Sequence, residues 1–147
     1  MSETRHASLV ATRVNGEWRG ALIEGPSGSG KSDLALRCLE AGFTLVSDDR
    51  TIIFAHDGAV FGRAPDALDG LIEVRGVGMR RVTPLPLARI AIAIDLVAEA
   101  VEVERMPEPA TRNLANVKAP LYRLWPFEET APAKLAALLQ CGNGSPP

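Results

Sequence analysis

Three short stretches carry residue types that could do chemistry. The run Gly25-Pro26-Ser27-Gly28-Ser29-Gly30-Lys31-Ser32 has the spacing G-x-x-x-x-G-K-[ST]. Asp48-Asp49 sets two carboxylates side by side, and Glu73-Val74-Arg75 sets an acid and a base about an apolar residue, with Gly76 and Gly78 following. Glycines in the first stretch let the backbone fold tightly, so that successive N–H groups point at phosphate oxygens. Lys31 has the reach to meet β/γ-phosphates, and the Ser32 hydroxyl is a ligand type for Mg²⁺. Those are the parts needed to hold a nucleoside triphosphate. A carboxylate within hydrogen-bond reach of an attacking hydroxyl takes its proton, and an adjacent pair invites a division of labour, one beside the metal and one at the acceptor.

These groups work only if the elements around them bring them together. Gly20 to Glu24 reads as a short buried strand and Asp33 to Ala41 as a helix closed by Gly42. Strand, glycine-rich turn and helix is the context this motif needs, and the helix start adds its positive dipole end. Ser8 to Val14 reads as a strand and Asn15-Gly16 as a hairpin turn, so a hairpin leads into the strand before the loop. Phe43 to Ser47 is a further apolar strand ending in Asp48-Asp49. A right-handed crossover makes it parallel to the loop strand and brings the aspartates to the same sheet edge. An exposed acidic turn is the bland alternative; position and pairing favour function.

Thr51 to Ala55 and Ala59 to Gly62 read as a hairpin across His56-Asp57-Gly58, with His56 as turn chemistry. For Leu71 to Arg81, spacing alone leaves two readings open. One is an edge strand turning through glycines. The other is a loop that brings Glu73 to Mg²⁺ and Arg75 toward phosphate. Arg89 to Leu96 reads as a central strand buried on both faces, and Val97 to Val103 alternates again in strand fashion. Glu104 to about Lys118 is rich in proline and polar residues and reads as a surface loop. Leu121 to Trp125 reads as a last strand and Ala133 to Gln140 as a closing helix. Residues 1–141 are thus expected to form one α/β domain, and 142–147 a disordered tail.

The bulk composition agrees with one such domain: 147 residues, 46% hydrophobic, 23% charged, net charge −2. There is no basic excess to suggest nucleic acid, and no apolar run long enough to cross a bilayer. Met1 to His6 is polar and lacks the apolar core of a signal peptide, so a cytoplasmic location is expected. Cys38 and Cys141 suggest neither a disulfide frame nor a metal site, and Cys38 falls on the apolar side of the first helix.

Together these residues resemble the catalytic C-terminal domain of the HPr kinase/phosphorylase family, in a short form lacking the family's N-terminal domain. His6 followed by Leu9-Val10 resembles a histidine-led strand, Gly25 to Ser32 the phosphate loop, and Leu45 to Arg50 the paired-aspartate strand. Asp33 stands where the family usually has glutamate. Ile72-Glu73-Val74-Arg75-Gly76-Val77-Gly78 is the most specific match, and Glu104-Arg105-Met106 a weaker one. The resemblance implies a P-loop kinase fold of the phosphoenolpyruvate carboxykinase-like type, with a mixed sheet. It implies ATP and Mg²⁺ as cofactors, Ser32 and Glu73 as metal ligands, and Lys31 on the β/γ-phosphates. Asp49 would accept the proton in the kinase direction and donate it in reverse, with Asp48 its neighbour. Arg105 would stabilise the transferred phosphoryl group, Arg75 would lie toward phosphate, and His6 would stand at the edge of the site. The implied partner is the phosphocarrier protein HPr, phosphorylated on serine, and the implied assembly a hexamer. Trp125-Pro126-Phe127-Glu128-Glu129 departs from the family pattern, which has a basic, glycine-containing loop here tied to dephosphorylation. The long C-terminal helices are reduced to one. That departure puts phosphorolysis in question. It leaves room for a kinase of the same fold with a different substrate, or for a nucleotide-binding regulatory module without transfer activity.

Overall fold

The computed structural model describes residues 2–141. The expected tail, 142–147, lies outside the described residues. A sheet of nine strands is curled on itself, with two helices against one face and a small separate hairpin at its edge.

The first strand, β1 (Ser2–Arg5), pairs antiparallel with β5 (Thr51–His56). Polar composition hid it from the sequence reading: its residues are largely exposed, as an edge strand allows. β2 (Ala7–Val14) and β3 (Glu17–Glu24) form the expected hairpin, turning through Asn15 (φ 52°) and Gly16 (φ 81°). The glycine-rich loop follows, and then α1 (Lys31–Glu40). β4 (Thr44–Ser47) runs parallel to β3, as the crossover requires, but β2 lies between them and pairs antiparallel with both. β5 and β6 (Ala59–Arg63) are the second hairpin.

β7 (Leu71–Val74) and β8 (Gly78–Arg81) make the separate hairpin, packed on α1 by the fully buried Ile72. β9 (Ala88–Leu96) is central, parallel to β3 on one side. On its other side its first residues pair with β6 and its last with β11 (Val117–Leu124), the latter in parallel. A register shift around Ala91 puts Ile90 in one core and Ile92 and Ile94 in the other.

Two expectations fail after β9. The stretch 97–103 is not a strand; it holds a single 3-10 turn, Ala100–Glu102, and Val101 is exposed. The long loop ends earlier than expected, because β10 (Ala110–Leu114) pairs with β11. Their turn is Ala115-Asn116, both at positive φ. That backbone normally calls for Asn-Gly or Asp-Gly, so Ala-Asn carries no hairpin signal. α2 (Ala131–Cys141) closes the fold and takes in Pro132 in its first turn.

Residues alternate along β2 and β3 between two cores. Val10, Ala21 and Ile23 face α1 and α2; Leu9, Ala11 and Leu22 face the inside of the curl. Cys38 belongs to the helical core, fully buried, and burial pushes its thiol up to about 12. Cys141 is exposed at the end of α2. The native protein is therefore expected to yield one thiol to a disulfide reagent, and a second only on unfolding. The raised Cys38 value stabilises the fold fully below the unfolded thiol's value of 9.0, and that contribution is lost as pH rises toward about 12. Two fast thiols in the native state would contradict the burial. No helix among the described residues is long and apolar enough to cross a membrane.

Candidate active site

One edge of the sheet collects every chemically capable stretch save one. At that edge the strand order is β4, β2, β3, β9, β11. β3 delivers the glycine-rich loop, β4 delivers Asp48 and Asp49, and β11 delivers the segment from Trp125 on. A cavity of about 660 Å³ lies over this edge, within the range of small-molecule sites. Its lining includes Gly28, Lys31, Ser32, Asp48, Asp49, Glu73, Arg75 and Phe127.

The loop is shaped by two tight glycines. A side chain on Gly25 would put its Cβ 2.5 Å from Ser29 Oγ, and Gly30 combines φ 100° with Phe127 and Pro126 atoms 3.2 Å from where a Cβ would stand. The first helical hydrogen bond of α1 runs from Leu34 N–H to Gly30 O, 2.9 Å. The N–H groups of Lys31, Ser32 and Asp33 precede it, so no helical carbonyl takes them. Lys31 is 5% exposed, and its Nζ donates to the carbonyls of Gly25 (2.7 Å) and Pro26 (3.1 Å). Burial lowers its pKa, with Asp49 and Asp48 pulling the other way.

The two aspartates point apart. Asp48 is buried, and Ser32 Oγ donates to it at 2.9 Å from both carboxylate oxygens. It also accepts from Ser8 Oγ (2.8 Å) and from the Glu73 N–H (3.0 Å). One carboxylate thus joins β2, the start of α1 and the β7–β8 hairpin. Asp49 has φ 68°, and the Arg50 N–H returns to Asp48 O at 2.8 Å. This is the rarer, mirror form of the γ-turn, a strained arrangement for a residue with a side chain. Its effect is to turn Asp49 out of the core. The Asp49 side chain is half exposed, and its Oδ1 lies 2.7 Å from His6 Nε2, which carries the hydrogen between them. Ser8 fixes the spacing of the pair, accepting from the Asp49 N–H (3.0 Å) while donating to Asp48.

Glu73 and Arg75 both line the cavity from the β7–β8 hairpin. Ile72 faces the core, so the strand alternation turns Glu73 toward the cavity. No set of three or more acidic, histidine or cysteine residues among the described residues forms a cage for a metal ion. Mg²⁺ would keep water and phosphate ligands and take only one or two from protein. Ser32, Asp48 and Glu73 offer oxygen donors of the right hardness.

Arg105 is the expected residue that does not join. It is exposed in the loop between the 3-10 turn and β10 and is not among the cavity-lining residues. Sequence reasoning also missed residues here. Ser8 is one, and a hydroxyl set among Ala7, Leu9, Val10 and Ala11 is its signal in the sequence. Arg112 on β10 was missed because β10 was missed. It makes a two-pronged contact with Asp95 (2.8 and 2.9 Å) and a bond to Glu24 (3.0 Å), which Arg5 also pairs at 2.8 Å. Arg112 is partly desolvated, but its hydrogen bonds to Asp95 and Glu24 hold its pKa above the ordinary arginine value. This self-neutralised cluster sits at the root of the glycine-rich loop and ties β1 and β10 to it.

Comparison with known proteins decides the family. The model described as "HPr Serine kinase C-terminal domain" matches residues 1–124. The chain belongs to that family. Among relatives, HPr kinase/phosphorylase of Polaromonas naphthalenivorans is 34% identical over 110 residues, covering 67% of this chain and 35% of that protein. HPr kinase/phosphorylase of Clostridium beijerinckii is 47% identical over 66 residues, 45% of this chain and 22% of that protein. The family member described here thus spans a minor share of these relatives' length. The solved structure of the Hpr(Ser) kinase/phosphatase from Coxiella burnetii superposes with a TM-score of 0.75 at 22% identity, covering 94% of each chain. The curled mixed α/β sheet is therefore shared with that structure.

Proposed function

We propose that this domain is an ATP- and Mg²⁺-dependent serine kinase of the phosphocarrier protein HPr, on a P-loop fold of the phosphoenolpyruvate carboxykinase-like type. Family membership supports the reaction class. The observation that carries the reading is the contrast between the aspartates: Asp48 is held on Ser32, while Asp49 is turned outward to His6. A sensor of nucleotide needs the first arrangement and has no use for the second.

In this reading the loop amides, the N–H groups opening α1 and Lys31 hold the triphosphate. Lys31 leaves the loop carbonyls for the β/γ-phosphates, which its hydrogen bonds to neutral carbonyls leave it free to do. Ser32 and Glu73 would hold the metal, and Asp48, which accepts from the Ser32 hydroxyl, would orient it for that role. Mg²⁺ held there would supply positive charge against the phosphate oxygens and the charge developing on the leaving ADP. The acceptor serine oxygen forms a bond to the γ-phosphorus as the bond to the bridging oxygen of ADP breaks. Asp49 takes the serine proton, held toward the acceptor by His6. Arg75 adds positive charge from the hairpin. Arg105 would have to swing in from its loop to reach the phosphoryl group. A hexameric assembly and a cytoplasmic setting belong to the same reading; phosphorolysis does not, because the acidic stretch Trp125 to Glu129 departs from the basic loop tied to it.

The test mixes pure protein, HPr and γ-labelled ATP with and without Mg²⁺. Label on a serine of HPr, absent without the metal, is the expected result. No label on HPr overturns the assigned substrate, and label on a member of a small-molecule panel run in parallel would replace it.

A further inference from the structure

Phe127 has no part in the chemistry above, yet it lines the same cavity. It is a large aromatic left 55% exposed, and Trp125 meets it edge to face with ring centroids 6.1 Å apart. Its ring edge lies within 3.3 Å of the position a Cβ would take on Gly30, so it stands against the glycine-rich loop itself. The segment that carries it is fastened. Arg37 of α1 donates to the carbonyls of Pro126 and of Glu128 (3.2 Å for the latter). Lys134 of α2 pairs with Glu128 at 2.6 Å. An apolar ring is thus fixed in place and left facing solvent, where burial elsewhere would have been favourable.

Sheet order says what it faces. The aspartates descend from β4, two strands to one side of β3, and Phe127 follows β11, two strands to the other side. The aspartates and Phe127 thus flank the glycine-rich loop on its two sides and line one cavity of about 660 Å³. With the phosphates anchored on the loop and the terminal one directed to Asp48 and Asp49, the β11 side offers the nucleoside end an exposed aromatic face. Resting on the nucleotide reading given above, we infer that Phe127 is the platform on which the purine base of the nucleotide stacks, with Trp125 bracing it. Aromatic faces take bases in this way without reading hydrogen bonds, so the platform favours purines over no base at all rather than one purine over another. Residue 127 lies just past the family match, which ends at 124.

The experiment measures binding of Mg²⁺-ATP and of Mg²⁺-tripolyphosphate to the full chain, to Phe127→Ala and Phe127→Tyr, and to Met79→Ala, Met79 being a β8 side chain that lines the same cavity. The Phe127→Ala protein should bind ATP about 10-fold more weakly and tripolyphosphate as before, and Phe127→Tyr should restore ATP binding. Equal losses for both ligands would make the ring a phosphate shield and overturn the inference. So would unchanged ATP affinity in Phe127→Ala, or a selective ATP loss in Met79→Ala, which would put the base on the hairpin wall. If the unaltered chain binds neither ligand, the nucleotide reading itself falls, and this one with it. If it binds both with equal affinity, only the base platform is lost.

Discussion

Replacing Asp49 with asparagine is expected to lower phosphoryl transfer to a protein serine by about 10²–10⁴-fold, the usual contribution of a general base. The loss should fall on kcat, with ATP affinity unchanged. Asparagine is nearly the same size and keeps an oxygen for His6, so the geometry survives while the proton acceptor does not. The side chain is half exposed and its side-chain hydrogen bond is to His6. Removing it therefore leaves no buried donor unsatisfied. Steady-state kinetics with HPr as acceptor check this. A variant that keeps its full rate would move the base elsewhere.

The neighbouring residue should behave in the opposite way. Asp48→Ala is expected to destabilise the domain by roughly 3 kcal/mol, because three donors lose their acceptor inside the protein. Those donors are Ser8 Oγ, Ser32 Oγ and the Glu73 N–H, and each belongs to a different element. For a domain of this size that corresponds to a fall in Tm of roughly 10 °C by thermal denaturation. Asp49→Asn in the same measurement should change stability by less than about 0.5 kcal/mol, because the site is exposed and asparagine tolerates the positive φ as aspartate does. Two adjacent aspartates with equal effects on stability would contradict the division between them.

Much of this was legible in the residues, for identifiable reasons. The hairpin into the loop, the loop and α1 carry local signals: Asn15-Gly16, the glycine spacing and the apolar stripe closed by Gly42. Chain direction alone then placed the aspartates at the loop edge. What stayed hidden was what tertiary contact decides. That β2 separates β3 from β4 cannot be read from either strand, since both are apolar and alternate. β10 hid behind a turn, Ala115-Asn116, whose residue types do not announce positive φ. The outward turn of Asp49 depends on Ser8, which comes from forty-one residues earlier in the chain. The two readings left open for the Glu73 stretch divide the same way. It is a hairpin turning through glycines, and it also lines the cavity, because Ile72 anchors its other face.

The position of β9 bears on the order in which the protein assembles itself. β2–β3, β5–β6 and β10–β11 are neighbours in sequence and close over short loops, so they can form early. β9 joins all three: it pairs Gly20 with Ile90, Phe61 with Arg89 and Leu121 with Ala93. Closing a loop of about seventy residues between β3 and β9 carries a large chain-entropy cost before any contact offsets it. That docking step is therefore expected to be late and slow. The cavity needs β4, β7 and β11 in place together, so it exists only after that step. A ligand that binds there recognises the finished chain and none of its precursors. It would hold the domain folded chiefly by slowing its loss, not by hastening its arrival.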